Sequence, residues 1–189
     1  KPMLQHVVDT VKHLDAEGIH IIVGHGAEKV KQTIDGNINW CYQAEQLGTG
    51  HAVAQALPSI PENSKVIILY GDVPLISKET LITMLDGVSE EDIALLTVQL
   101  DNPMGYGRVI RNFEGNIKAI VEEKDASEEI KGIDEINTGI LALSSNHLHK
   151  FIPMLGNSNA QSEYYLTDLI ALANKGGNKI HAYNPEFEQ

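Results

Sequence analysis

The stretch Gln43-Ala44-Glu45-Gln46-Leu47-Gly48-Thr49-Gly50-His51-Ala52 follows a strand-like run and enters a helix-like one. Glycines at such a junction let backbone N–H groups approach a ligand closely, and a helix start favours negative charge. Gln43 or Gln46 supplies an amide that can both donate and accept, as reading a nucleobase edge requires. The same residues also describe a helix cap behind a flexible loop, and short glycine motifs alone are weak evidence. Tyr70-Gly71-Asp72-Val73-Pro74 stops an apolar run. A lone carboxylate there suits Mg²⁺, which commonly takes one or two carboxylates together with substrate phosphates and water. Turn aspartates that stabilise their own backbone are equally familiar. Gly105-Tyr106-Gly107-Arg108 allows close approach to a flat or polyhydroxylated ligand, or forms a bulge where a strand begins. Glu122 and Asn137 lie at or near the ends of strand-like runs. A carboxylate and an amide can hydrogen-bond sugar hydroxyls and an acetamido group, although an edge charge and a turn amide explain the two residues just as simply.

Other residues carry less. The eight histidines show no zinc-like spacing, and His147 and His149 are two apart, wrong for one helix face. His25, between glycines, reads as a loop residue. Cys41 sits on an apolar run without a nearby base and reads as a buried inert thiol. Lys124–Lys131 reads as a solvated loop, and Tyr164-Tyr165 as core and interface packing. Lys plus Arg number 14 against 26 Asp plus Glu, a net charge of −12. That argues against nucleic acid and against an anionic membrane as partners, and means that a phosphate ligand needs a metal cation or placed N–H groups. The single cysteine excludes an intrachain disulfide and fits a reducing, cytoplasmic setting. No apolar run reaches the roughly 20 residues of a membrane span.

The elements that would position these residues alternate. Met3, Leu4, Val7, Val8, Val11 and Leu14 share a helical face, with Gly18 as the stop. Strands are expected at 19–23, 38–42, 66–70, 93–100, 136–143 and 179–183, with a hairpin of 106–110 and 117–122 around Asn112–Asn116. Helices are expected at 27–34, from Gly48 to Pro58, at 77–85 with Ser77 as cap, at 146–155 and at 164–174. Strands that are apolar throughout read as buried and parallel, which predicts a three-layer α/β/α sandwich, one domain, with an antiparallel insert near the hairpin. In such sheets ligands sit beyond the carboxyl ends of the strands.

The segments 43–52 and 70–75, then Gly-Tyr-Gly-Arg at 105–108, Glu-Ile-Asn-Thr-Gly at 135–139 and Glu-Tyr-Tyr-Leu-Thr-Asp at 163–168, together resemble one family in order along nearly the whole chain. It is the uridyltransferase (pyrophosphorylase) half of the bacterial bifunctional enzymes that make UDP-N-acetylglucosamine and also carry glucosamine-1-phosphate N-acetyltransferase activity. The resemblance implies a Rossmann-like, mostly parallel sheet of the nucleotide-diphospho-sugar transferase type. It implies that Gln43, Gly48 and Thr49 hold the uridine end, with Gln43 and the Gly48 backbone on the uracil edge. Tyr70 and Gly71 would line the nucleoside floor, Asp72 would be the catalytic Mg²⁺ ligand, and Gly107, Glu122 and Asn137 would hold N-acetylglucosamine. The implied reaction joins UTP and N-acetylglucosamine-1-phosphate into UDP-N-acetylglucosamine and pyrophosphate, for peptidoglycan and lipopolysaccharide precursors.

The family pattern also begins with a strand and a Gly-rich loop carrying Lys and Arg, and supplies an Asn metal ligand further on; neither lies within 1–189. The expectation is therefore a partial nucleotidyltransferase domain, truncated at both ends, lacking its first strand and inactive alone, from a parent that trimerises through a C-terminal domain. Ser162 stands where the family pattern has glycine. Two alternatives are a nucleotidyltransferase for another sugar phosphate, and a non-catalytic nucleotide-sugar-binding module.

Overall fold

The computed structural model describes residues 1–184. Helix α1 (Met3–Lys12) precedes strand β1 (His20–Val23), α2 (Ala27–Lys31), β2 (Asn39–Tyr42) and α3 (Thr49–Ala56). Then come β3 (Lys65–Ile68), α4 (Lys78–Asp86), β4 (Asp92–Gln99), the hairpin β5 (Arg108–Arg111) and β6 (Ile117–Val121), and α5 (Glu128–Lys131). β7 (Glu135–Ser144), α6 (Ser145–Phe151), α7 (Asp168–Lys175) and β8 (Lys179–Tyr183) complete the order. Ser77 caps α4 as expected, its Oγ accepting from the Thr80 N–H at 3.1 Å. Two expectations fail. Lys124–Lys131 is not plain loop: it holds a 3₁₀ turn and the short α5, capped by Ser127. Residues 164–167 are not helix; α7 starts only at Asp168.

The mixed α/β class with a central sheet holds. A six-stranded sheet runs β6-β5-β7-β4-β8, with β3 also on β7, and β1 and β2 form a separate parallel pair. Its pairing is less parallel than continuous apolar strands led us to expect. Among the described strands only β1 with β2 and β4 with β8 pair in parallel; β7 is antiparallel to β3, β4 and β5. The apolar runs report coverage on both faces, which either direction satisfies. Ile93, Leu95, Leu141 and Leu143 pack with Val53 of α3, Leu148 and Phe151 of α6 and Leu169 and Ile170 of α7. The alternating Ala94, Leu96, Ile140 and Ala142 pack instead with Leu81 and Met84 of α4. That alternation is the three-layer arrangement. Val8 of α1 packs with Ile21, Val23 and Ala27 in a third cluster around the β1–β2 pair.

β7 is the long strand on which the site depends. One edge carries β4 along most of its length. The other edge is shared: β5 meets it at Ile136, and β3 only from Leu141 onward. Between those points no strand among the described residues lies against β7 on that side. The parting is flanked by the residues leaving β3, Tyr70 to Asp72, and those entering β5, Gly105 to Gly107. A divergence of neighbouring strands opens a crevice of the kind α/β sheets use for ligands.

Candidate functional site

Gln43 follows β2 and extends its pairing, its N–H donating to Val23 O at 2.8 Å. Its side chain is 8% exposed. The Gln43 Nε2 donates to Gly48 O at 3.2 Å, and Gln46 Nε2 donates to Gln43 O at 3.2 Å. Of the two candidate glutamines, Gln46 therefore braces the loop, and Gln43 keeps its Oε1 available. Gly48 ends the loop at φ +111°, and a Cβ there would stand 2.6 Å from Tyr164 O, so this position admits only glycine.

The loop is stitched to residues 164–167. The Tyr164 N–H donates to Leu47 O at 2.8 Å, and Tyr164 O accepts from the Gly50 N–H at 2.7 Å. The Leu166 N–H donates to Thr49 Oγ1 at 3.0 Å. Thr167 then reaches the other side of the crevice, its hydroxyl donating to Glu122 Oε1 at 2.8 Å. Glu122 lies beside Gly107, whose Cβ position is 3.3 Å from Glu122 Oε2. Gly107 O accepts from the Asn137 N–H at 2.9 Å. Asn137 Oδ1 accepts from the Gly139 N–H at 2.9 Å, which fixes the amide and leaves its Nδ2 as the free end. Gly139, at φ +84°, takes the Tyr70 ring where a side chain would stand. Tyr70, Asn137, Gly139 and Thr167 line one small cavity.

Burial raises the pKa of the Tyr70 phenol, the charges of Glu122 and Asp72 push it further up, and Thr49 acts the other way. Asp72 itself is solvent-exposed in the turn closed by the Val73 N–H on Tyr70 O at 3.4 Å. Among the described residues no three His, Cys, Asp or Glu side chains come together as a metal site. The donor set still fits Mg²⁺, because one exposed carboxylate leaves the remaining positions to substrate oxygens and water.

Gln43, Gly48, Thr49, Tyr70, Gly107, Glu122 and Asn137 are thus linked through one run of contacts, and Asp72 follows Tyr70 by two positions without a contact to the others. Gly71 is the outlier, its backbone packing on Leu4 of α1 with a Cβ position 3.1 Å from Leu4 Cδ1. Thr167 and His51 were missed. Thr167 sits within an expected helix, and only its true place in the turn before α7 makes its hydroxyl available. His51 carried a signal, since it directly follows the Gly-Thr-Gly loop, but the spacing shows nothing of its contact with Gln43. Cys41 is a buried free thiol, as expected. Buried Arg108 anchors the loop after Glu122. It donates to Ile133 O at 3.0 Å and Lys131 O at 3.3 Å and pairs with Glu123 at 2.8 Å, a charge contact without hydrogen-bond alignment.

Residues 1–128 match the model of the MobA-like NTP transferase domain. A protein of Marinobacter nauticus named "Bifunctional protein GlmU" is 56% identical over 98% of this chain, and one of the same name from Cellvibrio japonicus is 52% identical over 98%. This chain spans 41% of the length of each. A UDP-glucose pyrophosphorylase solved with UDP-glucose superposes with TM-score 0.76 at 16% identity, covering 97% of this chain and 78% of the other. HddC from Yersinia pseudotuberculosis superposes with TM-score 0.64 at 18% identity, covering 97% and 76%. At these identities the solved structures speak for the fold.

Proposed function

The chain belongs to the family of MobA-like NTP transferase domains, and on that premise we propose that its crevice binds UTP and N-acetylglucosamine-1-phosphate for nucleotidyl transfer. The joining of a base-reading loop to a hydroxyl-reading pocket through residues 164–167 carries this reading. Gln43 and Gly48 address the uracil edge, and Thr49 and Tyr70 the nucleoside. The free Nδ2 of Asn137, the Glu122 carboxylate and the Gly107 backbone address the sugar and its acetamido group. The names of the curated relatives and the order of the motifs favour the uridyltransferase reaction.

In that reaction a phosphate oxygen of the sugar phosphate forms a bond to the α-phosphorus of UTP. The bond from that phosphorus to the oxygen bridging to the β-phosphate breaks, and pyrophosphate leaves with the electron pair. The nucleophile is already an anion, so no side chain need take a proton. What the chain contributes is alignment of two mutually repelling anions. Glu122, held by Thr167, and the fixed Asn137 amide orient the sugar, and therefore its phosphate, against the nucleotide. Asp72 would hold Mg²⁺, which when bound neutralises charge on the transferred group.

Pyrophosphate release tests the reading. In a protein of the curated relatives' full length that carries this chain, the expected outcome is release with UTP and N-acetylglucosamine-1-phosphate, abolished by chelator, with dTTP, CTP and unacetylated sugar phosphates far slower. Asp72→Asn lowers kcat by about a hundredfold or more, since a catalytic cation contributes several kcal/mol. Tight binding of UDP-N-acetylglucosamine with no turnover of any substrate pair by that full-length protein would instead identify a sensor.

A further inference from the structure

The Gln43 amide is held from two sides. Its Nε2 lies 3.2 Å from Gly48 O and 3.0 Å from Nδ1 of His51 on α3. Two orientations of the amide compete. With nitrogen toward both neighbours, one N–H donates to Gly48 O and the other to the Nδ1 lone pair, so His51 carries its proton on Nε2. That proton then faces Gln55 Nε2 at 3.3 Å, a poor donor–donor contact. With the amide turned over, Nδ1–H donates to Oε1. Oε1 then stands 3.2 Å from Gly48 O, a carbonyl already fixed by the Ala52 N–H at 3.0 Å. The first conflict lies on Gln55, a half-buried side chain that can turn its amide to water. The second sets a buried oxygen against a backbone oxygen locked in the first turn of a helix, and cannot relax. The first orientation wins.

Both Gln43 N–H groups are therefore used inside the chain. Its Oε1 has no partner among the described residues and is not sealed from solvent, so toward a ligand it can only accept. The Gly48 N–H likewise has no partner among the described residues and can only donate. An acceptor beside a donor complements an imide edge, N–H next to C=O, as in uracil. Cytosine offers a lone pair at the same ring position, which would face the Oε1 lone pairs.

We propose that His51 is a positioning residue that sets pyrimidine choice, by holding the Gln43 amide with its oxygen toward the nucleotide. The proposal rests on the reading of the crevice as a uridine nucleotide site, and adds the residue that enforces the choice. UTP and CTP are titrated against the protein, against His51→Ala and against His51→Asn, whose Oδ1 can replace Nδ1 as acceptor. Thermal melts accompany each titration. The native protein should prefer UTP. His51→Ala should lose about tenfold of that preference, the worth of one fixed hydrogen bond. His51→Asn should recover most of it. If His51→Ala keeps the native ratio, or if UTP and CTP affinities fall equally, the proposal is overturned while the uridine site stands. If the native protein shows no preference for UTP, the uridine site and the proposal fall together.

Discussion

At the scale of single residues, the site depends on where small side chains allow contact and where polar ones are held. Gly48→Ala puts a methyl 2.6 Å from Tyr164 O on a backbone at φ +111°. A non-glycine residue in such a conformation costs about 1–3 kcal/mol. The melting temperature should fall, and nucleotide affinity should fall with it, because relief requires the loop to leave residue 164. Thr167→Val keeps the shape and removes the 2.8 Å bond to Glu122. With Glu122 unanchored, KM for the sugar phosphate should rise about tenfold, the typical loss for a hydrogen bond to a charged group. KM for UTP should hardly change. Steady-state kinetics with each substrate varied separately would show the split.

At the scale of elements, the connection between Met154 and α7 carries the site. Its residues 164–167 serve neither sheet nor helix, and their N–H, C=O and hydroxyl groups bind the loop before α3 on one side and Glu122 on the other. Ser162 leads into this connection at φ +57°, a left-handed conformation, at the position where the family pattern has glycine. Ser162→Gly removes a steric cost of about 1–2 kcal/mol, offset in part by the greater entropy of glycine in the unfolded chain. A net gain near ~0.5 kcal/mol should raise the melting temperature by about 1–2 °C in a chain of this size. A fall on calorimetry would show that the seryl side chain supports the turn. The Arg108 anchor works in the same way for the loop that follows Glu122, a single buried cation holding several carbonyls of an otherwise exposed segment.

At the scale of the whole molecule, acidity and pH set the limits. With a net charge of −12 the chain repels polyanions at long range, so nucleotide binding should depend on divalent cations and strengthen as salt screens the field. Stability should fall on mild acidification. Burial lowers the pKa of His147 from 6.5, with the Glu90 carbonyl opposing. A histidine with a depressed folded pKa contributes stability that is full above its unfolded value and is lost as pH falls through the folded one. The melting temperature should therefore hold above about pH 6.5 and decline below it, and His147→Gln should flatten that decline. Glu135, whose carboxyl is held low chiefly by the Arg111 guanidinium, adds a second loss only below the ordinary carboxylate range.

The sequence by itself determined the order of elements and the neighbourhood of the crevice. Helix and strand periodicity is local, and Ser77, Gly48 and the Val66–Ile68 run act through neighbours a few residues away. The positions of the candidate residues at strand ends were legible because strand ends are marked by glycine, proline and aspartate. Strand direction was not legible, since an apolar run records burial on both faces and is indifferent to which way its partner points. Thr167 and His51 were hidden for a related reason. Thr167 meets Glu122 across 45 positions, and the meeting depends on how far α7 extends. His51 acquires a role only from a hydrogen bond to an amide whose orientation a backbone carbonyl decides. Only the tertiary structure settles such choices, because each is a competition among partners that packing, and not spacing, brings within reach.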